Sequence, residues 1–133
     1  MKFKLAFLLG LLFGAPSFLL AIELNAENRT DSYLFCIKKQ IPILSIERDD
    51  SGSFLSVSNS EIQGYIVKHN IIDIQEWMPN ANENDFDGDI YLNRIYRAVI
   101  NQNRASELAS IISRMSFLSS VLYSEPENIH KIS

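Results

Sequence analysis

Two stretches of helical spacing, each running into a short β-type segment, constrain this chain most. Ile62, Tyr65, Ile66 and His69 recur at i, i+3, i+4 and i+7, the spacing of one helix face. Leu108, Ile111, Ile112, Met115 and Leu118 form a second stripe within residues 103–118, with Ser106, Glu107, Ser110, Ser113 and Arg114 predicted to face water. The first stretch leads to residues 71–78, which alternate in part, with Ile72, Ile74 and Glu76 on one face, until Pro79. The second leads to Ser120-Val121-Leu122-Tyr123-Ser124-Glu125 and then to a polar tail over 126–133. Short strands alternating with amphipathic helices bury their apolar sides by layering, so the class is α+β.

The remaining segments fill in that outline. Ser58-Asn59-Ser60-Glu61 matches a capping box, in which Ser58 satisfies an orphan amide and Glu61 reaches back. Gly64 costs the first helix about 1 kcal/mol relative to alanine, and Asn70 is a reasonable stop. Upstream, 23–32 is polar without periodicity and reads as a flexible lead-in. Apolar runs at 33–37 and 43–46, the turn signal Asp49-Asp50-Ser51-Gly52 and a β-type run at 54–57 predict two or three short antiparallel strands. Residues 80–89 are a loop by composition. Residues 90–100 read two ways. Leu92, Ile95, Tyr96, Val99 and Ile100 fit a helical stripe, while Ile90, Leu92, Tyr96, Ala98 and Ile100 fit one face of a strand. Arg94 is the misfit of the strand face, and periodicity alone leans slightly to helix, whereas β-branched and aromatic enrichment leans to strand.

Lys2 and Lys4 precede an uncharged run over 5–20 that Pro16-Ser17 interrupts, and Ala21 is a small residue suited to cleavage. This is the arrangement of a secretory signal peptide. An uncleaved anchor is the alternative, because the apolar run reaches the low end of spanning length; Gly10, Gly14 and Pro16 count against it. The expected organisation is a signal peptide over 1–21, a lead-in over 22–32 and one domain over 33–133, secreted or periplasmic, with no membrane association after cleavage. The mature chain, about 112 residues, suffices for one modest core. The formal charge of −4 becomes more negative once Lys2 and Lys4 leave. An acidic chain without a basic run argues against nucleic acid and anionic membrane as partners.

Cys36 is the only cysteine, so no disulfide framework holds the fold. Within Leu34-Phe35-Cys36-Ile37 it reads as a buried small hydrophobe. Asn28-Arg29-Thr30 fits the glycosylation pattern. Cys36, His69 and His130 make no ligand spacing or nucleophile–base pairing. There is no Gly-x-Ser-x-Gly elbow and no phosphate loop, and no catalysis is expected. Glu83-Asn84-Asp85-Phe86-Asp87-Gly88-Asp89-Ile90 partly matches a calcium loop. Glu83, Asp85, Asp87 and Asp89 could supply oxygens, and Gly88 could supply the sharp turn. Arg94 occupies the position where a bidentate acid belongs, and the same residue types dominate plain turns.

Three segments near the end carry a resemblance. Leu92-Asn93-Arg94-Ile95-Tyr96-Arg97, the helical stripe over 107–118 and Val121-Leu122-Tyr123-Ser124-Glu125-Pro126 together resemble the prodomain of subtilisin-type serine proteases, mainly over residues 90–133. The resemblance implies a strand for 90–100. Counted from Phe54, the order is then βαββαβ, a ferredoxin-like antiparallel sheet with two helices on one face and an N-terminal β-hairpin added in front. It also implies a non-catalytic module that binds a subtilisin-type serine protease as inhibitor or folding helper. In that family the sheet packs on two surface helices of the protease. Carried over, Tyr123 lies in the contact strand, Glu125 and Glu127 cap those helices, and His130, Lys131, Ile132 and Ser133 lie in the substrate cleft. Such a tail gains affinity from main-chain hydrogen bonds, and a carboxylate at a helix N-terminus gains about 0.3–1 kcal/mol. On composition alone, Glu125 and Glu127 are ordinary solvated acids.

Overall fold

A computed structural model describes Leu24 and residues 27–129. The order is β1 (Asn28–Ile37), β2 (Ile46–Arg48), β3 (Phe54–Val57), α1 (Ser60–Lys68), β4 (Asp73–Glu76), β5 (Phe86–Asp87), β6 (Ile90–Tyr91), β7 (Ile95–Val99), α2 (Leu108–Met115) and β8 (Val121–Asn128). Short 3₁₀ segments occupy Leu92–Arg94 and Gln102–Glu107. Four strands form one antiparallel sheet in the order β4-β7-β1-β8, while β2–β3 and β5–β6 are separate two-stranded hairpins. No described helix is long and apolar enough to cross a membrane. The expected leader and the residues His130 to Ser133 lie outside the described residues.

The central strand explains the layering. Tyr33, Leu34, Phe35, Cys36 and Ile37 are all buried. Side chains alternate across a strand, and a strand covered on both faces reads as an unbroken apolar run. Tyr33, Phe35 and Ile37 join Ile74, Tyr96 and Ala98 in a core shared with Ile62, Tyr65 and Ile66 of α1 and with Leu108, Ile111, Ile112 and Met115 of α2. Both helices therefore cover one side. Leu34 and Cys36 face the other side, in a smaller cluster with Ile90, Ile95 and Tyr123. Phe35 stacks on Tyr96 with ring centroids 5.5 Å apart. The Tyr33 hydroxyl donates to Tyr65 Oη at 3.1 Å, and Tyr65 Oη donates to the Ile111 carbonyl at 2.5 Å, tying the sheet to both helices.

Several expectations are corrected. The strand at 54–57 does not enter the main sheet; it pairs with β2 around a turn in which Asp49 Oδ1 accepts from the amides of Ser51 and Ser53, each at 2.9 Å. The sheet strand preceding α1 is β1, which pairs with β7 and β8 rather than hairpinning onto residues 43–46. β1 begins at Asn28, inside the expected lead-in, because cross-strand partners satisfy its polar start: Asn28 Nδ2 donates to Asn128 Oδ1 at 2.9 Å. That same bond, with Asn28 only 8 % exposed, leaves little access for a glycan.

The capping box is also shifted. Asn59 is the N-cap, accepting from the Ile62 amide at 2.9 Å, and Ser58 Oγ instead accepts from the Ser45 amide. Glu61 turns away from its own helix and accepts from the amides of Ser119 and Ser120 at 2.9 and 2.8 Å, just before β8. The helix expected over 103–118 is α2 alone, preceded by the 3₁₀ segment in which Arg104 leaves helical dihedrals. Leu108, Ile111, Ile112 and Met115 bury as expected, Leu118 lies beyond the helix and is only partly buried, and Ser113 is buried with the stripe. Ile72 is 52 % exposed, outside β4. Residues 90–100 are neither one helix nor one strand. The 3₁₀ turn at Leu92–Arg94 resets the parity, so Tyr96 and Ala98 face the helices while Ile90 and Ile95 face the other side.

Candidate functional site

The last strand, singled out by its sequence, lies at one edge of the sheet with β1 as its neighbour. Leu34 stands opposite both Arg97 and Glu125, and Gln75 stands opposite Arg97. This register gathers a polar row onto the helix-free side, next to the Leu34–Cys36 cluster. Arg97 donates from Nε to both carboxylate oxygens of Glu127, at 2.8 and 3.0 Å, and from Nη2 to Oε2 at 2.5 Å. Its Nη1 donates to Gln75 Oε1 at 3.2 Å. Ser32 Oγ donates to Glu127 Oε1 at 2.7 Å, and Arg29 lies 3.9 Å away. A bidentate guanidinium–carboxylate pair is among the stronger polar contacts a protein makes. Burial pulls the Glu127 carboxyl upward, but the hydrogen bonds from Arg97 and Ser32 outweigh it and hold it below the ordinary value. The same pair raises Arg97 further.

Glu125 and Glu127 are 3 % and 2 % exposed, so neither is an ordinary solvated acid. The Glu127 carboxylate is engaged within the domain rather than presented as a cap for another protein's helix. Tyr123 is 1 % exposed, and its hydroxyl has no hydrogen-bond partner among the described residues. Desolvation raises its pKa well above the usual phenol range. Ser124 points to the other side and donates to the Ile112 carbonyl at 2.7 Å, fastening β8 to α2. Strand pairing continues to Asn128, so Pro126, Glu127 and Asn128 belong to the sheet and not to a free tail. His130, Lys131, Ile132 and Ser133 lie outside the described residues.

The two sheet edges differ. At β4, Arg48 Nη2 donates to the Ile74 carbonyl at 2.7 Å and Nη1 lies 2.9 Å from Asp73, which blunts that edge. Among the described residues no strand pairs with the outer edge of β8. Its Pro126, which cannot donate to a ladder, is compatible with an edge position.

The candidate calcium residues are not brought together. Asp87-Gly88-Asp89-Ile90 closes the β5–β6 hairpin, with Gly88 at φ +63°. Asp85 accepts from the Asn82 amide at 2.8 Å, and Asp89 pairs with Lys39 at 3.3 Å. Among the described residues no three His, Cys, Asp or Glu side chains converge as a metal set. Glu83 and Asp89 point into solvent as part of an exposed tip. Cys36 is fully buried, and desolvation pushes its thiol up to about 12, which removes it as a nucleophile at neutral pH.

Sequence reasoning missed Arg97 and Ser32 as partners of Glu127, and Gln75 as a further acceptor for Arg97. A signal was present: Arg97 is a lone charge between Tyr96 and Ala98, and a charge at the centre of a buried strand needs a counter-charge. No family model, curated protein or solved structure matches this chain.

Proposed function

We propose that this domain is a non-catalytic, prodomain-like module that binds a subtilisin-type serine protease as inhibitor or folding helper. The carrying observation is the placement of Val121-Leu122-Tyr123-Ser124-Glu125-Pro126 on an edge strand whose outer side pairs with no strand among the described residues and whose far end leads in sequence to residues 130–133. An extended tail leaving such a strand is suited to add a strand to an enzyme's cleft. The arrangement of the sheet supports a ferredoxin-like reading. β1, α1, β4, β7, α2 and β8 run βαββαβ in sheet order β4-β7-β1-β8, both helices lie on one side, and the β2–β3 hairpin is inserted between β1 and α1. The helix-free side is itself covered by Ile90, Leu92 and Trp77, so the outer edge of β8 is the surface offered to the protease. In this reading Glu127 acts by position: its pair with Arg97 clamps β8 to the sheet and fixes where the tail begins.

The test is inhibition of a subtilisin-type protease by residues 22–133 and by a truncation after Ile129. That cut keeps β8 and the Arg97–Glu127 pair, whereas a cut after Pro126 removes Glu127 and confounds tail with fold. Loss of the tail's main-chain hydrogen bonds should weaken inhibition at least about tenfold, with an unchanged circular dichroism spectrum. Equal inhibition by both forms removes the tail's role, and no inhibition by the longer form removes the proposal.

A further inference from the structure

A groove of about 290 Å³ lies on the helix side of the molecule, away from the polar row on the sheet. It is lined by Gly64, Tyr65, Lys68, His69, Arg114, Phe117 and Leu118. Its charge is one-sided although the chain as a whole is acidic. Lys68 and Arg114 stand in the last turns of α1 and α2, where the helix dipole favours cations. Neither has a carboxylate within ion-pair distance among the described residues. His69 lines the same groove, with its ring 4.4 Å from that of Tyr65. Burial lowers its pKa first, and Lys68, Arg114 and Arg104 lower it further. Among the described residues, Arg104 is the one of these bases that is neutralised, by Glu107 at 3.2 Å.

The walls of the groove are apolar. Tyr65 is buried, Leu118 packs on the core, and Phe117 is 61 % exposed at the rim. Gly64 adds an independent observation. A glycine inside a helix costs about 1 kcal/mol relative to alanine. Here no close packing requires it: a Cβ at Gly64 would meet nothing within 4 Å. Gly64 lines the groove, and a Cβ there would stand in open space.

We propose that this groove binds an organic anion, a carboxylate or phosphate carrying an apolar group. The anionic end lies among Lys68, His69 and Arg114, and the apolar end lies over Tyr65, Leu118 and Phe117. Charge-assisted hydrogen bonds to Lys and Arg supply strength and orientation, and the apolar walls supply desolvation. This site is independent of protease binding.

The test follows the His69 ring resonances by NMR while phenyl phosphate, 3-phenylpropanoate, inorganic phosphate or benzyl alcohol is added to residues 22–133. A saturable shift with at least one aryl anion, and a much weaker response to benzyl alcohol and inorganic phosphate, is expected. The relative response to the two aryl anions distinguishes phosphate from carboxylate. A bound anion favours the imidazolium, so the His69 pKa should rise on saturation. Lys68→Gln with Arg114→Gln should weaken binding at least about tenfold. Gly64→Leu should fill the groove and abolish binding while raising the melting temperature. No saturable shift with either aryl anion, an equal response to benzyl alcohol, or unchanged affinity in the double variant overturns the proposal.

Discussion

The acids of β8 and those of the β5–β6 hairpin are alike in sequence and opposite in structure. Glu127 is 2 % exposed and held by a guanidinium and a hydroxyl, whereas the Asp89 side chain is 75 % exposed and pairs with Lys39 at the surface. The difference lies in what the neighbouring chain supplies. β7 and β1 bring Arg97 and Ser32 to the β8 carboxylate, while the hairpin supplies mostly its own turn. Glu61 lies between the two cases, partly buried and met by the amides and a hydroxyl of Ser119 and Ser120. Carboxylate density therefore does not mark a site; donors and burial do.

The largest effect should come from breaking the β8 case. Arg97→Met leaves the Glu127 carboxylate buried without its guanidinium. Removing one partner of a buried pair costs about 3–5 kcal/mol, and the lower end applies because the Arg97 side chain is 29 % exposed. Glu127→Gln should cost less, about 1.5–3 kcal/mol, because the uncompensated group left behind is the more exposed one. Urea unfolding of both variants checks the order. A near-neutral Arg97→Met would mean that β8 is held by backbone pairing and Ser124 alone.

The parts of this fold legible in the sequence are those where a period meets a single face. The stripes Ile62, Tyr65, Ile66 and Leu108, Ile111, Ile112, Met115 both bury as their spacing requires. The alternating motif around Tyr123 and Glu125 does form a strand. What was illegible depends on long-range partners. Asn28 to Ser32 looks unstructured because its partners on β8 lie some 95 residues away or more. The 3₁₀ turn at Leu92–Arg94 breaks a periodicity that by itself leans slightly to helix, and Arg94 anchors it by donating to the carbonyls of Lys38 and Ile41. Glu61 has the position of a capping-box acid, but the turn before β8 offers it better donors than its own N-cap.

The intermediate case can be tested by acid. Burial pulls the Glu61 carboxyl upward, and the hydrogen bonds from Ser120 and Ser119 more than reverse this, setting its pKa at about 2 against an ordinary 4.5. Because the folded value is the lower one, the stabilisation is complete above about pH 4.5 and is lost as pH falls toward 2. Glu61→Gln should therefore destabilise by about 1 kcal/mol at pH 7, and that difference should shrink steadily as the pH falls below 4.5. Urea midpoints at several pH values measure it. A difference that stays constant with pH would assign the effect to packing rather than to the carboxylate.

The smallest effect belongs to the hairpin, and it also decides whether its acids act as a group. Asp89 and Lys39 are 3.3 Å apart with side chains 75 % and 51 % exposed, a pair of the kind worth about 0–1 kcal/mol. Asp89→Ala should thus shift stability by less than about 0.5 kcal/mol. The carboxylates of this loop do not converge, and Asp85 is occupied by the Asn82 amide. Calcium at millimolar concentration should therefore leave the melting temperature of both proteins unchanged. A rise in the parent protein that Asp89→Ala removes would show that the loop rearranges to gather its oxygens. The two acidic stretches would then differ in what recruits them, an ion at the hairpin and an arginine at the strand, rather than in whether they are recruited.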